Sequence, residues 1–434
     1  MATSALNARK VALGSLMGTT IEYYDFFIYA TAAALVFPAL FFPSFDPLVG
    51  TLLSFSTFAV GYIARPLGGI VLGHFGDRVG RKSMLILTLL TMGISTVLVG
   101  ALPNYATIGA AAPVLLVVLR FVQGFALGGE YGGAVLMSVE HADPKRRGFY
   151  GSWVQTGAQL GLILANLFFL AVARLSHDNL LAWGWRIPFL SSILLVIVGI
   201  VIRLKIAESP VFEKVKQQGE VTRVPIMVVL RENPLRVLLT SGATISVGVT
   251  FYGTAVFGLT YGITHLGRTK TEMLTIIILA SLVVVAASVL FGHLSDRLGR
   301  RRVFIAGLLG VVVFALPWVW LLGSGSFGLI LLGYLLVLVP YSATWGTMGT
   351  YFSETFDSRI CYTGLSLGFA LGNILGSAFT PIVLTDLVAR TGTVTSVGYY
   401  MAAAAAVSAV CAVWIGQRET VPATRAQAVA PVSA

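Results

Sequence analysis

Charge is scarce in this chain. Only 11% of its residues are Asp, Glu, Lys or Arg, while 56% are hydrophobic; soluble domains carry roughly one quarter charged residues. A surface solvated mainly by water is therefore excluded. Cysteine is nearly absent as well: Cys361 and Cys411, both in apolar stretches, offer neither a disulfide framework nor a metal site. No GxxxxGK[ST] run occurs, and no polar stretch is long enough to hold a nucleotide-binding domain. The five histidines (74, 141, 177, 265 and 293) fall mainly at the edges of apolar runs without ligand spacing. With no cluster of nucleophile, base or metal ligands, nothing points to an enzyme.

What is present is apolar length. A bilayer core takes about 20 apolar residues per helix. Cutting at charges and turn residues predicts twelve spans, at 11–37, 50–73, 83–102, 112–139, 149–173, 187–206, 235–262, 272–292, 303–323, 327–350, 360–388 and 395–416. Lipid offers no partner to backbone polar groups, and these runs are too long and too continuously apolar for barrel strands, so the expected fold class is all-α. Hydropathy is not concentrated at the N-terminus, so the first span itself serves as the targeting signal.

The net charge of +11 comes in short basic clusters between apolar runs, without interleaved aromatics. That is the pattern of cytoplasmic loops and not of a nucleic-acid footprint, so no nucleic-acid partner is expected. Clusters such as Arg78–Lys82, Lys145–Arg147 and Arg300–Arg302, with Arg359, Arg418 and the seven basic residues from Arg203 to Arg236, fall on one side. The opposite loops hold only Arg174, Arg186, Arg268, Lys270 and Arg390. The asymmetry predicts a multi-pass protein of the cell inner membrane with both termini in the cytoplasm.

A repeat organises the spans. GHFGDRVGRK (Gly73 to Lys82) follows the second span and GHLSDRLGRR (Gly292 to Arg301) the eighth, with six of ten residues identical. Each copy is read as a loop at the same place in a six-span half. The expected domains are an N-terminal six-helix bundle (1–206), a cytoplasmic linker (207–234), a C-terminal six-helix bundle (235–418) and a disordered tail (419–434). A binding site is expected between the halves at mid-membrane.

These residues carry a family resemblance. The repeated motif resembles the loop 2–3 signature of the major facilitator superfamily. More narrowly, IEYYDF (Ile21 to Phe26), ARPLGG (Ala64 to Gly69), RFVQGFALGGEYGG (Arg120 to Gly133), WGWRIPF (Trp183 to Phe189) and ESPVF (Glu208 to Phe212) look like its metabolite:proton symporter branch. That branch holds carriers of shikimate, 2-oxoglutarate, citrate, proline and betaine; the resemblance spans nearly the whole chain and is most similar to the shikimate-type members. It implies twelve transmembrane helices in two pseudo-symmetric bundles, alternating access, and no cofactor beyond the proton as coupling ion. Its partners would be a small polar solute, protons and membrane lipid, with the chain working as a monomer. Cys361 departs from the pattern, since similar proteins tend to carry a basic residue there.

Charges inside a span are costly and mostly functional. The first half holds five: Glu22, Asp25, Arg65, Arg120 and Glu130. Glu22 and Asp25 lie three apart on one helix, so they are expected to share a face and a proton. Arg120, Gln123 and Glu130 fall within about 80° of arc and form one polar stripe. Arg120, a fixed fork of donors, suits a carboxylate on the solute, on Asp25 or on Glu22; the resemblance implies a role for it in proton coupling, against a structural salt bridge. Arg65 and Glu130 are expected to pair and lock helices. Asp77, Arg81, Asp296 and Arg300 are gate residues by resemblance. Gly124, Gly128 and Gly132 recur every four residues, as for close helix packing. In the second half the polar lining is expected from Tyr252, Tyr341, Thr344, Trp345 and Asn373. With no nucleotide site, transport would draw on an ion gradient or on the solute's own. The combination favours proton-coupled uptake of a small organic acid over that of a zwitterion such as proline or betaine, export of an apolar compound, or a non-transporting sensor of the same fold.

Overall fold

The computed structural model describes residues 2–79, 81–128, 131–140, 142–205, 229, 231, 233–356 and 361–417. Among them there is no strand. The helices are α1 (Ala2–Leu35), α2 (Pro47–Val79), α3 (Arg81–Ala101), α4 (Ala111–Leu127) with α5 (Tyr131–Glu140), α6 (Arg147–Val172), α7 (Arg186–Lys205), α8 (Pro234–Tyr252) with α9 (Gly258–Thr264), α10 (Lys270–Leu298), α11 (Arg300–Gly323), α12 (Phe327–Ser353), α13 (Cys361–Asn373) with α14 (Thr380–Thr391), and α15 (Thr395–Gln417). A π-helical turn joins α8 to α9 at Gly253–Phe257 and another joins α13 to α14 at Ile374–Ala378. Among the described residues ten spans are long and apolar enough to cross a membrane. The shorter Ile86–Ala101 and the helix α1 complete the expected twelve.

The first helix begins at Ala2 and runs through most of the span expected at 11–37. One expectation changes. The repeated motif is not a loop: α2 runs on to Val79 and α10 to Leu298, and the next helices start at Arg81 and Arg300. The second corner is the single residue Gly299, at φ 92°, where a side chain would be strained. Most of the 207–234 linker and all of the 419–434 tail lie outside the described residues, as do Glu130, Arg359 and Arg418.

Helix ends use the groups that physics asks for. At α10 Thr269 and Glu272 form a reciprocal cap, Thr269 Oγ1 accepting from the Glu272 amide at 3.1 Å and Glu272 accepting from the Thr269 amide at 3.0 Å. Arg186 Nη1 donates to Gly100 O near the end of α3 at 2.7 Å and to Leu102 O just past it at 2.9 Å, where a cation also offsets the helix dipole. Within the first half α4 lies against α2 so closely that a Cβ at Gly124 would fall on the Gly61 carbonyl and one at Gly128 on that of Arg65. The two halves meet along α6 and α10, along α6 and α12, and where α2 crosses α13, α14 and the turn between them.

Candidate functional site

Asp25 in α1 and Arg120 in α4 are wholly buried inside the first half. Arg120 Nη1 donates to Gln123 Oε1 at 3.2 Å, and Gln123 Nε2 donates to Thr96 Oγ1 of α3 at 2.9 Å. The Arg120 guanidinium lies 4.1 Å from the centre of the Phe26 ring and 4.2 Å from that of Tyr29, an arrangement that stabilises a cation without a counter-ion. One Asp25 oxygen accepts from the Ser192 hydroxyl of α7, while the other has no hydrogen-bond partner among the described residues. Thr96 also stands beside this carboxyl. Asp25 and Arg120 are thus not a direct ion pair. Gln123 and Thr96 lie between them, the Thr96 hydroxyl itself donating to the Met92 carbonyl at 2.9 Å.

Glu22 and Asp25 do not share an environment as the sequence leads one to expect. Three residues advance a helix by about 300°, leaving the two side chains about 60° apart. That is enough for Asp25 to point into its own half while Glu22 lines a cleft between the halves. The cleft is walled by Thr19, Glu22 and Tyr23 of α1, Arg65 of α2, the α4 to α5 segment with Tyr131, Val154 of α6, and Ser366, Phe369 and Ala370 of α13. Tyr131 and Phe369 stack across the halves at one side, ring centres 3.6 Å apart and planes 12° from parallel. Arg65 is 6% exposed, and its guanidinium sits between Phe26 at 4.3 Å and Tyr62 at 4.1 Å. The expected partner Glu130 lies outside the described residues. Asp25, Arg120 and Gln123 line neither this cleft nor a second one, which is bordered by Gln159, Phe251, Thr254, Ser281 and Tyr334.

At the centre Tyr62 of α2 donates to Tyr252 of α8. Gln155 of α6 and Trp345 of α12 bind each other twice: Gln155 Nε2 donates to the Trp345 carbonyl at 3.2 Å, and Trp345 Nε1 to the Gln155 carbonyl at 3.0 Å. Tyr341 stacks on Trp345 with planes 13° apart. Tyr252, Tyr341 and Trp345 therefore stand where the halves meet. Thr344 does not: its hydroxyl turns to the Phe304 carbonyl of α11 at 3.3 Å, inside its own half. Asn373 is satisfied within its own chain segment, donating to Phe369 O and accepting from Ser377 Oγ, both at 2.8 Å. Thr344 thus spends its hydroxyl on a neighbouring helix and Asn373 its amide on its own segment.

At the end of the bundle that carries the basic clusters, Asp296 reaches across to the first turn of α6. Its two oxygens accept from the Gly148 amide at 2.8 Å and the Phe149 amide at 3.0 Å. A carboxylate on a helix N-terminus meets both unpaired amides and the positive end of the dipole. Arg300 holds Asp296 at 3.2 Å and also pairs with Glu354 at the end of α12. Gly148 permits the approach, since a Cβ there would strike the Gly292 carbonyl and Ser295. The equivalent Asp77 and Arg81 fall at a helix end and a helix start, but their side chains lie outside the description.

Sequence reasoning missed Tyr62, Gln155, Gln159, Tyr131 and Ser366. A signal existed for the glutamines: two amides four residues apart in an otherwise apolar span mark one inward stripe.

Comparison with known proteins agrees with this architecture. A family model of the Major Facilitator Superfamily matches residues 16–366. The inner membrane metabolite transport protein YhjE of Escherichia coli K12 is 42% identical over 92% of each chain. The shikimate transporter of the same organism is 39% identical over 94% of each. A putative proline/betaine transporter of Staphylococcus aureus is 33% identical, over 92% of this chain and 86% of its own. Among solved structures, the xylose transporter XylE of E. coli in a partially occluded inward-open conformation superposes with a TM-score of 0.70 at 16% identity, covering 96% of this chain and 99% of that one. The chain belongs to the major facilitator superfamily. It is a membrane transporter and not an enzyme, and its curated relatives are carriers of small metabolites.

Proposed function

We propose that the protein is a secondary transporter of the inner membrane that takes up a small organic acid together with protons, by alternating access between an N-terminal bundle (1–206) and a C-terminal bundle (235–418). The carrying observation is the buried Asp25. It has no ion pair among the described residues, and one of its oxygens lacks any hydrogen-bond partner. A bare charge there is costly, and a carboxyl so placed suits the uptake and release of a proton. Thr96 stands beside it and accepts from Gln123, which in turn accepts from Arg120, so the two buried groups sit in one polar cluster. The basic end is assigned to the cytoplasm, and the Asp296 to α6 contact then closes that side. No cofactor other than the coupling proton enters this account.

The zwitterion reading keeps one specific support: Glu22 lines the cleft and offers a carboxylate to a cationic group, and one relative is described as a proline/betaine transporter. Uptake into proteoliposomes under an imposed pH gradient separates the readings. Shikimate or another carboxylate is expected to accumulate, to be lost on adding a protonophore, and to accumulate at least tenfold less in Asp25→Asn. Full gradient-driven accumulation in Asp25→Asn removes Asp25 from coupling; accumulation of glycine betaine alone favours the zwitterion.

A further inference from the structure

The second half contributes a hydroxyl to the cleft that Glu22 and Arg65 line from the first, and several polar atoms there have no partner. Arg65 Nε and Nη2, the Tyr131 hydroxyl and the Ser366 hydroxyl are all buried and without a hydrogen bond among the described residues. Leaving such groups unmet costs about 1–3 kcal/mol each, more for a charged one, so a cluster of them at one cleft asks for an occupant. Arg65 is the most telling. Phe26 and Tyr62 flank its guanidinium. The rings take up its faces and leave its N–H groups, which lie in the guanidinium plane, to an in-plane acceptor. A carboxylate is such an acceptor, bound by two parallel N–H···O bonds. Arg120 also has Nε and Nη2 unmet among the described residues, but it is placed otherwise: it is wholly enclosed, its Nη1 is spent on Gln123, and it lines neither of the two clefts.

We infer that Arg65, not Arg120, receives the carboxylate of the solute, and that Tyr131, Ser366 and Glu22 receive hydroxyl groups at its other end. The site thus selects a small hydroxylated acid. This rests on the organic-acid reading above and assigns its binding residues. The Tyr131 to Phe369 stack closes the cleft, which is narrow in this form, so the solute enters as the stack parts. Because Tyr131 and Phe369 belong to opposite halves, an occupant bonded to Arg65 and Ser366 draws the halves together and favours the closed form over either open one.

The test is thermal stabilisation of the full purified chain by a panel of shikimate, 2-oxoglutarate, citrate and glycine betaine, with cyclohexene-1-carboxylate as the acid lacking hydroxyls. We expect an acid to stabilise the wild type, shikimate more than its hydroxyl-free analogue. Arg65→Lys and Arg65→Gln should weaken that acid by at least tenfold, the size expected for losing bonds to a charged group. Tyr131→Phe and Ser366→Ala should bind several-fold more weakly while melting no lower than wild type without solute, because the hydroxyls they remove have no hydrogen-bond partner among the described residues. A merely structural role would instead lower the solute-free melting temperature. If the Arg65 variants do not fold, the two hydroxyl variants decide. Equal stabilisation of all variants by an acid overturns the subsite and leaves the organic-acid reading standing. Stabilisation of the wild type by glycine betaine alone, or by nothing in the panel, overturns that reading and the subsite with it.

Discussion

A buried guanidinium is held here by rings as much as by anions. Arg120 has one side-chain hydrogen bond among the described residues and lies over Phe26 and Tyr29, so planarity matters as well as charge. Replacing it with lysine keeps the charge but loses the fork and the stacking area; transport by Arg120→Lys should fall at least tenfold, and wild-type kinetics in proteoliposomes would show that a point charge suffices. Tyr62→Phe removes the contact to Tyr252 and leaves a buried hydroxyl unmet; a melting temperature lower by a few degrees is expected, from about 1 kcal/mol or more. The charged residues were legible in the sequence because their burial is costly and therefore selects for interior positions. Their partners were less so. Sequence spacing set Glu22 and Asp25 on one face, yet 60° of rotation sends one to a cleft and the other toward α7. Thr344 and Asn373 were indistinguishable from cavity residues until the carbonyls that satisfy them were seen.

Helices were predicted as elements with their order right, since a twenty-residue apolar run has few other solutions in lipid. Their ends were harder to place. The repeated motif reads as a polar loop because it is rich in Gly, Asp and Arg, but polar residues at a membrane surface carry a helix onward as readily as they end one. Only Gly299, at positive φ, breaks the second copy. Close packing of α2 on α4 was legible in Gly124 and Gly128, which have no room for a side chain. Gly124→Val should accordingly cost about 1–3 kcal/mol, the usual penalty for overpacking, and lower the detergent melting temperature; an unchanged value would mean that α2 and α4 separate freely.

In the whole molecule the two halves touch at both ends. At the basic end Asp296, Arg300 and Glu354 fix the second half to the first turn of α6. At the other end α1 touches α9 and the π-helical turn before it. Between them the Gln155 to Trp345 pair and the Tyr62 to Tyr252 contact bridge the halves. A carrier must break one set of these contacts at a time. Asp296→Asn keeps the shape but removes the charge from the α6 N-terminus, a change of about 0.3–2 kcal/mol in the dipole interaction. It should open the basic end several-fold more often. Spin labels at Lys145→Cys and Leu298→Cys, in a chain with Cys361 and Cys411 replaced, report that opening as a distance distribution between the start of α6 and the end of α10. The account predicts a short and a long population in the wild type, the long one enriched by Asp296→Asn and depleted by bound solute. A single distance, unmoved by the substitution or by any solute that binds, would contradict it.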